Sequence, residues 1–217
     1  MKTMCGIDEA GRGPIIGPLV LCGVVIHEGE EQALLELGVK DSKLLSPKQR
    51  ERIAEILKKK YSYHLVEVPP AEIDAAVQGA NTNLNWLEAD KAAEVINTLK
   101  PEHVVLDCPS PNIKAFTNYI LERVTNKKTV LHCAHHADRD FPVVGAASII
   151  AKVTRDARIA ELKKKIGVDF GSGYIADPTT AAFLQKYWNK YSEIFRHSWA
   201  PYEKIIQQKK QTGLGRY

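Results

Sequence analysis

Cys5-Gly6-Ile7-Asp8-Glu9-Ala10-Gly11-Arg12-Gly13-Pro14 is the stretch on which the reading of this chain turns. A short apolar entry meets two adjacent carboxylates, and these meet a Gly-Arg-Gly turn. Neighbouring acids repel each other and resist desolvation, so a fold that keeps them at a strand end has a cation for them. The glycines behind them let backbone amides approach a ligand that a Cβ would hold off. Carboxylates for a hard metal beside amides for oxygen atoms point to phosphodiester chemistry. A charged strand end followed by an ordinary turn explains the segment equally well, so the rest of the chain must decide.

Outward from this stretch, residues 4–8 and 18–27 read as two strands joined by the glycine turn. Ser46-Pro47 supplies an N-cap and a first-turn proline for a helix through Lys60. Tyr61 to Val68 alternates as a strand, and residues 71–77 and 84–99 read as helices. His103 to Asp107 is a short buried strand, followed by a helix to about Val124 and a strand over Thr129–Cys133. A long helix from about Val143 to Ile166 leads into a loop at Gly171–Gly173, and Pro178 opens another helix. Residues 201–210 form a last helix before a loose tail. Early strands close in sequence suit hairpins, and later strands separated by helices suit parallel crossovers. The expectation is an α/β fold: a mixed central sheet flanked by helices, with a catalytic domain over 1–170. A C-terminal helical lobe over 171–210 and a tail over 211–217 complete it.

The chain of 217 residues carries a net charge of only +4, unevenly spread. Residues 150–217 hold 13 Lys and Arg against 6 Asp and Glu, whereas residues 1–149 hold 17 against 20. An acidic body with a basic C-terminal third suits a nucleic-acid enzyme. The longest apolar run, Leu19 to Ile26, is too short to span a bilayer, and the N-terminus lacks the pattern of a signal peptide. A cytoplasmic monomer that avoids membranes is expected. Cys5, Cys22, Cys108 and Cys133 have no CxxC spacing and read as buried free thiols. His132, His135 and His136 crowd Cys133 too closely for a structural zinc spacing.

Four acids stand out by position: Asp8 and Glu9 at the first strand end, Asp107 at the end of His103–Leu106, and Asp138 just past Cys133. Strand-end carboxylates of one sheet can converge at one edge, where α/β folds bind ligands. Oxygen-only ligands favour Mg²⁺ or Mn²⁺, and two such ions can activate water and stabilise a departing 3′ oxygen. Alternation sends Asp8 and Glu9 to opposite faces of a regular strand. Both can serve only if the strand bends there, or if Glu9 acts through a second layer or its main chain.

With these residues assembled, the sequence resembles the ribonuclease HII family, especially its archaeal members. The resemblance rests on residues 6–14, Gly38-Val39-Lys40-Asp41-Ser42-Lys43, Leu106-Asp107 and His136-Ala137-Asp138. It continues through Ala146 to Asp156, Phe170-Gly171-Ser172-Gly173-Tyr174 and Asp177-Pro178. It implies an RNase H-like fold, cleavage of the RNA strand of RNA–DNA hybrids, and incision at single ribonucleotides in duplex DNA. The metal-binding acids it implies are Asp8, Glu9, Asp107 and Asp138, holding two Mg²⁺ or Mn²⁺ ions during catalysis. Gly11, Arg12, Gly13 and Tyr174 match the elements that recognise the 2′-hydroxyl at the junction. Lys43, Ser148 and Lys152 match positions near the nucleic-acid backbone. The chain departs from the commonest pattern at Leu44, where a second lysine is more usual. It departs again at His135-His136, where a lysine often stands, and at Asp140, an added acid nearby.

Two rival readings remain. Gly11-Arg12-Gly13-Pro14-Ile15-Ile16-Gly17 imitates a dinucleotide fingerprint, but Ile16 stands where the third glycine is needed and a strand follows instead of a helix. A non-catalytic nucleic-acid-binding protein tethered to the sliding clamp would suit the basic helices, yet would gain nothing from four phosphate-repelling acids. The tail itself, Gln211-Thr212-Gly213-Leu214-Gly215-Arg216-Tyr217, looks like the short motif that docks replication proteins on the clamp (proliferating cell nuclear antigen, PCNA). Gln211, Leu214 and Tyr217 would make the contacts, the last two in an apolar pocket.

Overall fold

A strand that alternates between two buried faces organises the molecule. In the computed structural model, which describes residues 2–39 and 45–214 (212–214 by backbone alone), β1 runs Thr3–Ala10. It is followed by β2 (Leu19–His27), α1 (Glu31–Glu36), α2 (Pro47–Lys60), β3 (Ser62–Val68), α3 (Pro70–Gln78) and α4 (Leu84–Leu99). Then come β4 (His103–Asp107), α5 (Ile113–Arg123), β5 (Val130–Ala134), α6 (Ala137–Asp140) and α7 (Pro142–Ile166). α8 (Pro178–Tyr187) and α9 (Ala200–Leu214) close the chain, with a 3-10 turn at Ser192–Ile194 between them.

The five strands form one sheet in the order β3-β2-β1-β4-β5. β1 pairs antiparallel with β2 and parallel with β4, and β4 pairs parallel with β5. The mixed sheet is therefore as expected, and its elements lie within a few residues of their anticipated bounds. Ser46 caps α2 through a complete capping box with Gln49, and Asp177 caps α8 by accepting from the Thr179 amide at 2.9 Å. The differences are small additions. α1 and α6 fall in stretches read as loops, too short to display a helical period. α9 continues to Leu214, so part of the stretch expected to be a loose tail is helical.

The chain divides into two compact units. The first comprises residues 1–10, 20–67 and 84–155, and the second comprises 11–19, 68–83 and 156–217. The second unit thus takes in the 171–210 stretch together with two segments from much earlier in the chain.

In the first unit, even-numbered residues of β1 face α7. Met4 and Ala10 belong to a core with Val20, Cys22, Val24, Leu57 of α2 and Val143, Val144 and Ala147 of α7. Gly6 lies so close to α7 that a methyl placed on it would run into the backbone of Val143 and Val144. Odd-numbered Ile7 and Glu9 face the other way, lining a small cavity with Leu21, Leu106, Glu88 and Ala92 of α4 and Phe116 of α5. All four cysteines are buried free thiols, as expected. Burial pushes the Cys5 thiol up to about 12 and Cys133 to about 11, and raises Cys22 and Cys108 as well.

The second unit has its own core. Ile15, Ile16, Ile159, Phe170, Phe183, Leu184, Phe195 and Tyr202 are all buried in it. Phe183 sits among the rings of Phe170, Tyr187, Tyr191 and Phe195, with centroids 4.9–5.9 Å away. Among the described residues no helix is long and apolar enough to cross a membrane.

Candidate active site

The β1–β2 register runs unbroken to Ala10↔Val20, so β1 stays regular through both acids. Asp8 and Glu9 accordingly point to opposite faces, and the bend that would have brought them together is absent. Asp8 lies on the α7 face, 6% exposed. Its carboxylate accepts from the Ser148 hydroxyl on α7 and, at 2.8 Å, from the Glu9 amide. Glu9 is half-buried on the opposite side, beside the cavity that Glu88 and Asp107 also line.

Parallel pairing of β1 with β4 places Ile7 beside Leu106. Asp107 therefore follows at the position where β1 has Asp8. Its Oδ1 accepts from the Ala137 amide at 2.9 Å, which ties the start of α6 to the end of β4. His136, in the left-handed conformation (φ 59°), makes the sharp entry into that short helix. The next residue but one is Asp138, 7% exposed. Asp140 on the same helix is exposed.

Burial is the main force raising the Asp8 carboxyl from 3.8 to about 7, with the charges of Asp107 and Asp138 adding to it. Hydrogen bonds from Ser148 and Glu9 act in the opposite direction. Among the described residues no three His, Cys, Asp or Glu side chains are gathered tightly enough to hold an ion as they stand. A bound divalent cation would offset the mutual repulsion of these carboxylates and favour their ionised forms. The donor set is oxygen only and the central acid is buried, which suits a hard divalent cation and argues against zinc.

The other expected site residues fall in different places. Ser148 and Lys152 occupy successive turns of α7 in the first unit, both half-buried. Gly11, Arg12, Gly13 and Tyr174 all belong to the second unit. There the Gly173 carbonyl accepts from the amides of Ile15 (2.8 Å) and Ile16 (3.2 Å), joining the Gly-Ser-Gly-Tyr loop to the glycine turn. A methyl built on Gly13 would stand 3.7 Å from the Tyr174 ring. Tyr174 is 41% exposed, and Gly13 is exposed beside it. Lys43 lies outside the described residues. His135, singled out as a departure, directs its Nδ1 at the Cys108 carbonyl, 2.9 Å away.

Sequence reasoning missed Arg196, which lies wholly buried against the glycine turn. A lone cation between Phe195 and His197, in an aromatic stretch ending at Trp199, was the available signal.

Residues 5–202 match the Ribonuclease HII family. The chain belongs to the ribonuclease HII family. A ribonuclease HII of Methanocella arvoryzae is 44% identical over 208 residues, covering 94% of this chain and 92% of that protein. The crystal structure of ribonuclease H2 from Pyrococcus horikoshii is similar, with a TM-score of 0.88 and 39% identity. The match covers 96% of this chain and 99% of that one. A ribonuclease HII solved in complex with PCNA, from Archaeoglobus fulgidus, is also similar. Its TM-score is 0.82 and its identity 38%, over 91% of this chain and 95% of that one. Ribonuclease HII membership makes the chain an endonuclease of the type 2 ribonuclease H class with an RNase H-like fold. The binding-only alternative is thereby set aside.

Proposed function

We propose that this ribonuclease HII cleaves the RNA strand of RNA–DNA hybrids and incises 5′ of ribonucleotides embedded in duplex DNA. The products carry 3′-hydroxyl and 5′-phosphate ends. The observation that carries the reading is the buried Asp8 carboxyl, flanked by Asp107 and Asp138 and raised to about 7. Asp8, Asp107 and Asp138 would hold Mg²⁺ or Mn²⁺, two ions per site, with Glu9 contributing from the opposite face of β1. The bound ions would supply Lewis acidity to the attacking water, the phosphate and the departing 3′ oxygen.

The chain's own residues do the rest. Ser148 donates to Asp8 and so favours its ionised, ligating form. Asp107 fixes the start of α6 and with it Asp138. Lys152 and Lys43 are assigned to the nucleic-acid backbone. The ribose is distinguished from deoxyribose only by its 2′-hydroxyl, which both donates and accepts. The Gly11–Gly13 turn offers backbone groups to that hydroxyl, and the exposed Tyr174 ring covers the neighbouring sugar. Residues 171–210 are assigned to duplex binding, in a cytoplasmic, monomeric enzyme. The direct test is Mg²⁺-dependent cutting of a duplex that contains one ribonucleotide. Intact duplex, or cutting without metal, would overturn the assignment.

Tyr174→Ala is expected to lose about tenfold more activity at a single embedded ribonucleotide than on a long hybrid, where many registers can engage. Steady-state rates on the two substrates measure this. Equal losses would make Tyr174 a structural residue.

We assign the C-terminal stretch to the sliding clamp. Support comes from Gln211, exposed on α9, and from the PCNA complex of the Archaeoglobus relative. Leu214 ends α9, and Tyr217 lies outside the described residues. A form ending at Lys210 is expected to lose affinity for the clamp of the same organism while cutting short substrates normally. Titration of both forms decides it, and indistinguishable affinities would dispose of the tether.

A further inference from the structure

Arg196 is the largest fully buried side chain of the described residues. Its guanidinium donates Nη1–H to the Arg12 carbonyl at 2.7 Å and Nη2–H to the Gly11 carbonyl at 2.5 Å. Nε and Nη2 both donate to the Gly17 carbonyl, at 3.2 and 3.0 Å. One planar fork thus gathers both ends of the 11–17 loop. The guanidinium also lies 4.9 Å over the Trp199 ring, and Trp199 Nε1 donates to the Gly13 carbonyl at 3.2 Å. Three consecutive carbonyls, those of Gly11, Arg12 and Gly13, are thereby directed at Arg196 and Trp199.

The peptide bond turns this into a statement about amides. In a planar trans peptide the N–H points opposite to the C=O, and none of the described peptides is cis. Holding the Gly11 and Arg12 carbonyls on the Arg196 side directs the Arg12 and Gly13 amides to the other side. The third carbonyl belongs to the peptide of Pro14, which has no N–H. The clamp therefore aims two adjacent donors, and Gly13 carries no Cβ to obstruct them.

The clamp is itself anchored. The Arg196 amide donates to the Ile15 carbonyl at 2.9 Å, and the Gly17 amide donates to the Ile194 carbonyl at 3.0 Å. On the far side, Asp74 of α3 accepts from the amides of His197 and Ser198, both at 2.8 Å, and from the Ser198 hydroxyl at 2.6 Å. A guanidinium loses much hydration when buried, and here Nε, Nη1 and Nη2 all donate to backbone carbonyls in return.

We propose that Arg196, assisted by Trp199, is a positioning residue for ribose recognition: it aims the Arg12 and Gly13 amides at the 2′-oxygen. The inference rests on the reading of the glycine turn given above. A lysine keeps the charge but cannot serve three carbonyls in one plane, so Arg196→Lys is expected to fail as a substitute.

The test measures binding by the intact protein, in the presence of EDTA so that nothing is cut. The probes are a duplex with one ribonucleotide and the same duplex in all-DNA form. The ratio of the two dissociation constants is the readout, because lost stability alone lowers both affinities together. Arg196→Lys and Arg196→Gln are each expected to shrink that ratio about tenfold. Trp199→Phe, which keeps an aromatic face beside the guanidinium but loses the indole N–H and with it the bond to Gly13, should shrink it about threefold, and it carries the test if the Arg196 variants do not fold. Gly13→Ala probes the turn itself. If Gly13→Ala lowers the ratio while the Arg196 and Trp199 variants preserve it, the Arg196 assignment is wrong. If Gly13→Ala and Tyr174→Ala both preserve it, the turn does not read the sugar at all.

Discussion

Asp8→Asn is expected to abolish metal-dependent cleavage, by a thousandfold or more, while making the metal-free protein harder to unfold at pH 8. The two effects have one origin. The Asp8 carboxyl titrates at about 7 in the folded chain instead of 3.8, chiefly because burial opposes its charge. Below about pH 4 both folded and unfolded chains keep this proton, so the group adds no pH dependence. Between about 4 and 7 the unfolded chain gives the proton up and the folded chain retains it, so stability falls as pH rises. Above about 7 the loss is complete, and the shift corresponds to about 4 kcal/mol. Asparagine has the same shape and carries no charge, so it removes this contribution. Its melting temperature above neutral pH should exceed that of the parent by on the order of 10 °C. Added Mg²⁺ should raise the melting temperature of the parent and scarcely affect that of the variant. Calorimetric scans from pH 4 to 8, with and without Mg²⁺, supply the comparison. An unaltered slope with pH in the variant would show that Asp8 is not the strained group. Asp107→Asn should be inactive too, and full activity of that variant in Mg²⁺ would remove Asp107 from the site.

Gly6→Ala should be the most destabilising single methyl in the first unit. The added carbon meets the carbonyl carbon and oxygen of Val143 and the nitrogen of Val144, all of them backbone atoms. Flexible side chains can swing aside from an intruding methyl, whereas α7 can only move as a rod. A cost of about 3 kcal/mol or more follows, a fall of roughly 10 °C in melting temperature. Gly13→Ala is the matched control, because its methyl would make only ordinary contact with the Tyr174 ring. It should change stability by less than about 0.5 kcal/mol. Similar unfolding midpoints for the two variants in urea would refute the close approach of β1 and α7. The same shift of α7 would carry Ser148 away from Asp8, so Gly6→Ala should also depress whatever activity survives.

Much of this arrangement was legible in the sequence because it is local. Alternation along β1 assigns Asp8 and Glu9 to different faces before any packing is known, and the structure keeps them there. The serine and proline at the start of α2 and the proline at the start of α8 each announce a helix through nearby chemistry. Arg196 was not legible for the opposite reason. Its partners, Gly11 and Arg12, lie 185 and 184 residues away, and no period or spacing encodes such a pairing. Ser148 was selected by resemblance as a residue near the nucleic-acid backbone, and its bond to Asp8 appears only when α7 is laid across β1. The division of the chain was hidden likewise. A boundary at residue 170 follows from composition, whereas each compact unit is assembled from separate stretches of chain that only tertiary packing brings together.

The four thiols provide a clock for the opening of the sheet. Cys5 and Cys22 lie in β1 and β2, Cys133 lies in β5, and Cys108 directly follows β4, so every strand but β3 has a cysteine in it or next to it. With their ionisation pushed well above neutrality by burial, these sulfurs are protonated and shielded while the protein is folded. An alkylating reagent therefore reacts only as fast as each strand is exposed. The relative rates at which the four residues become modified rank the free energies of the openings that expose them, without any engineered probe.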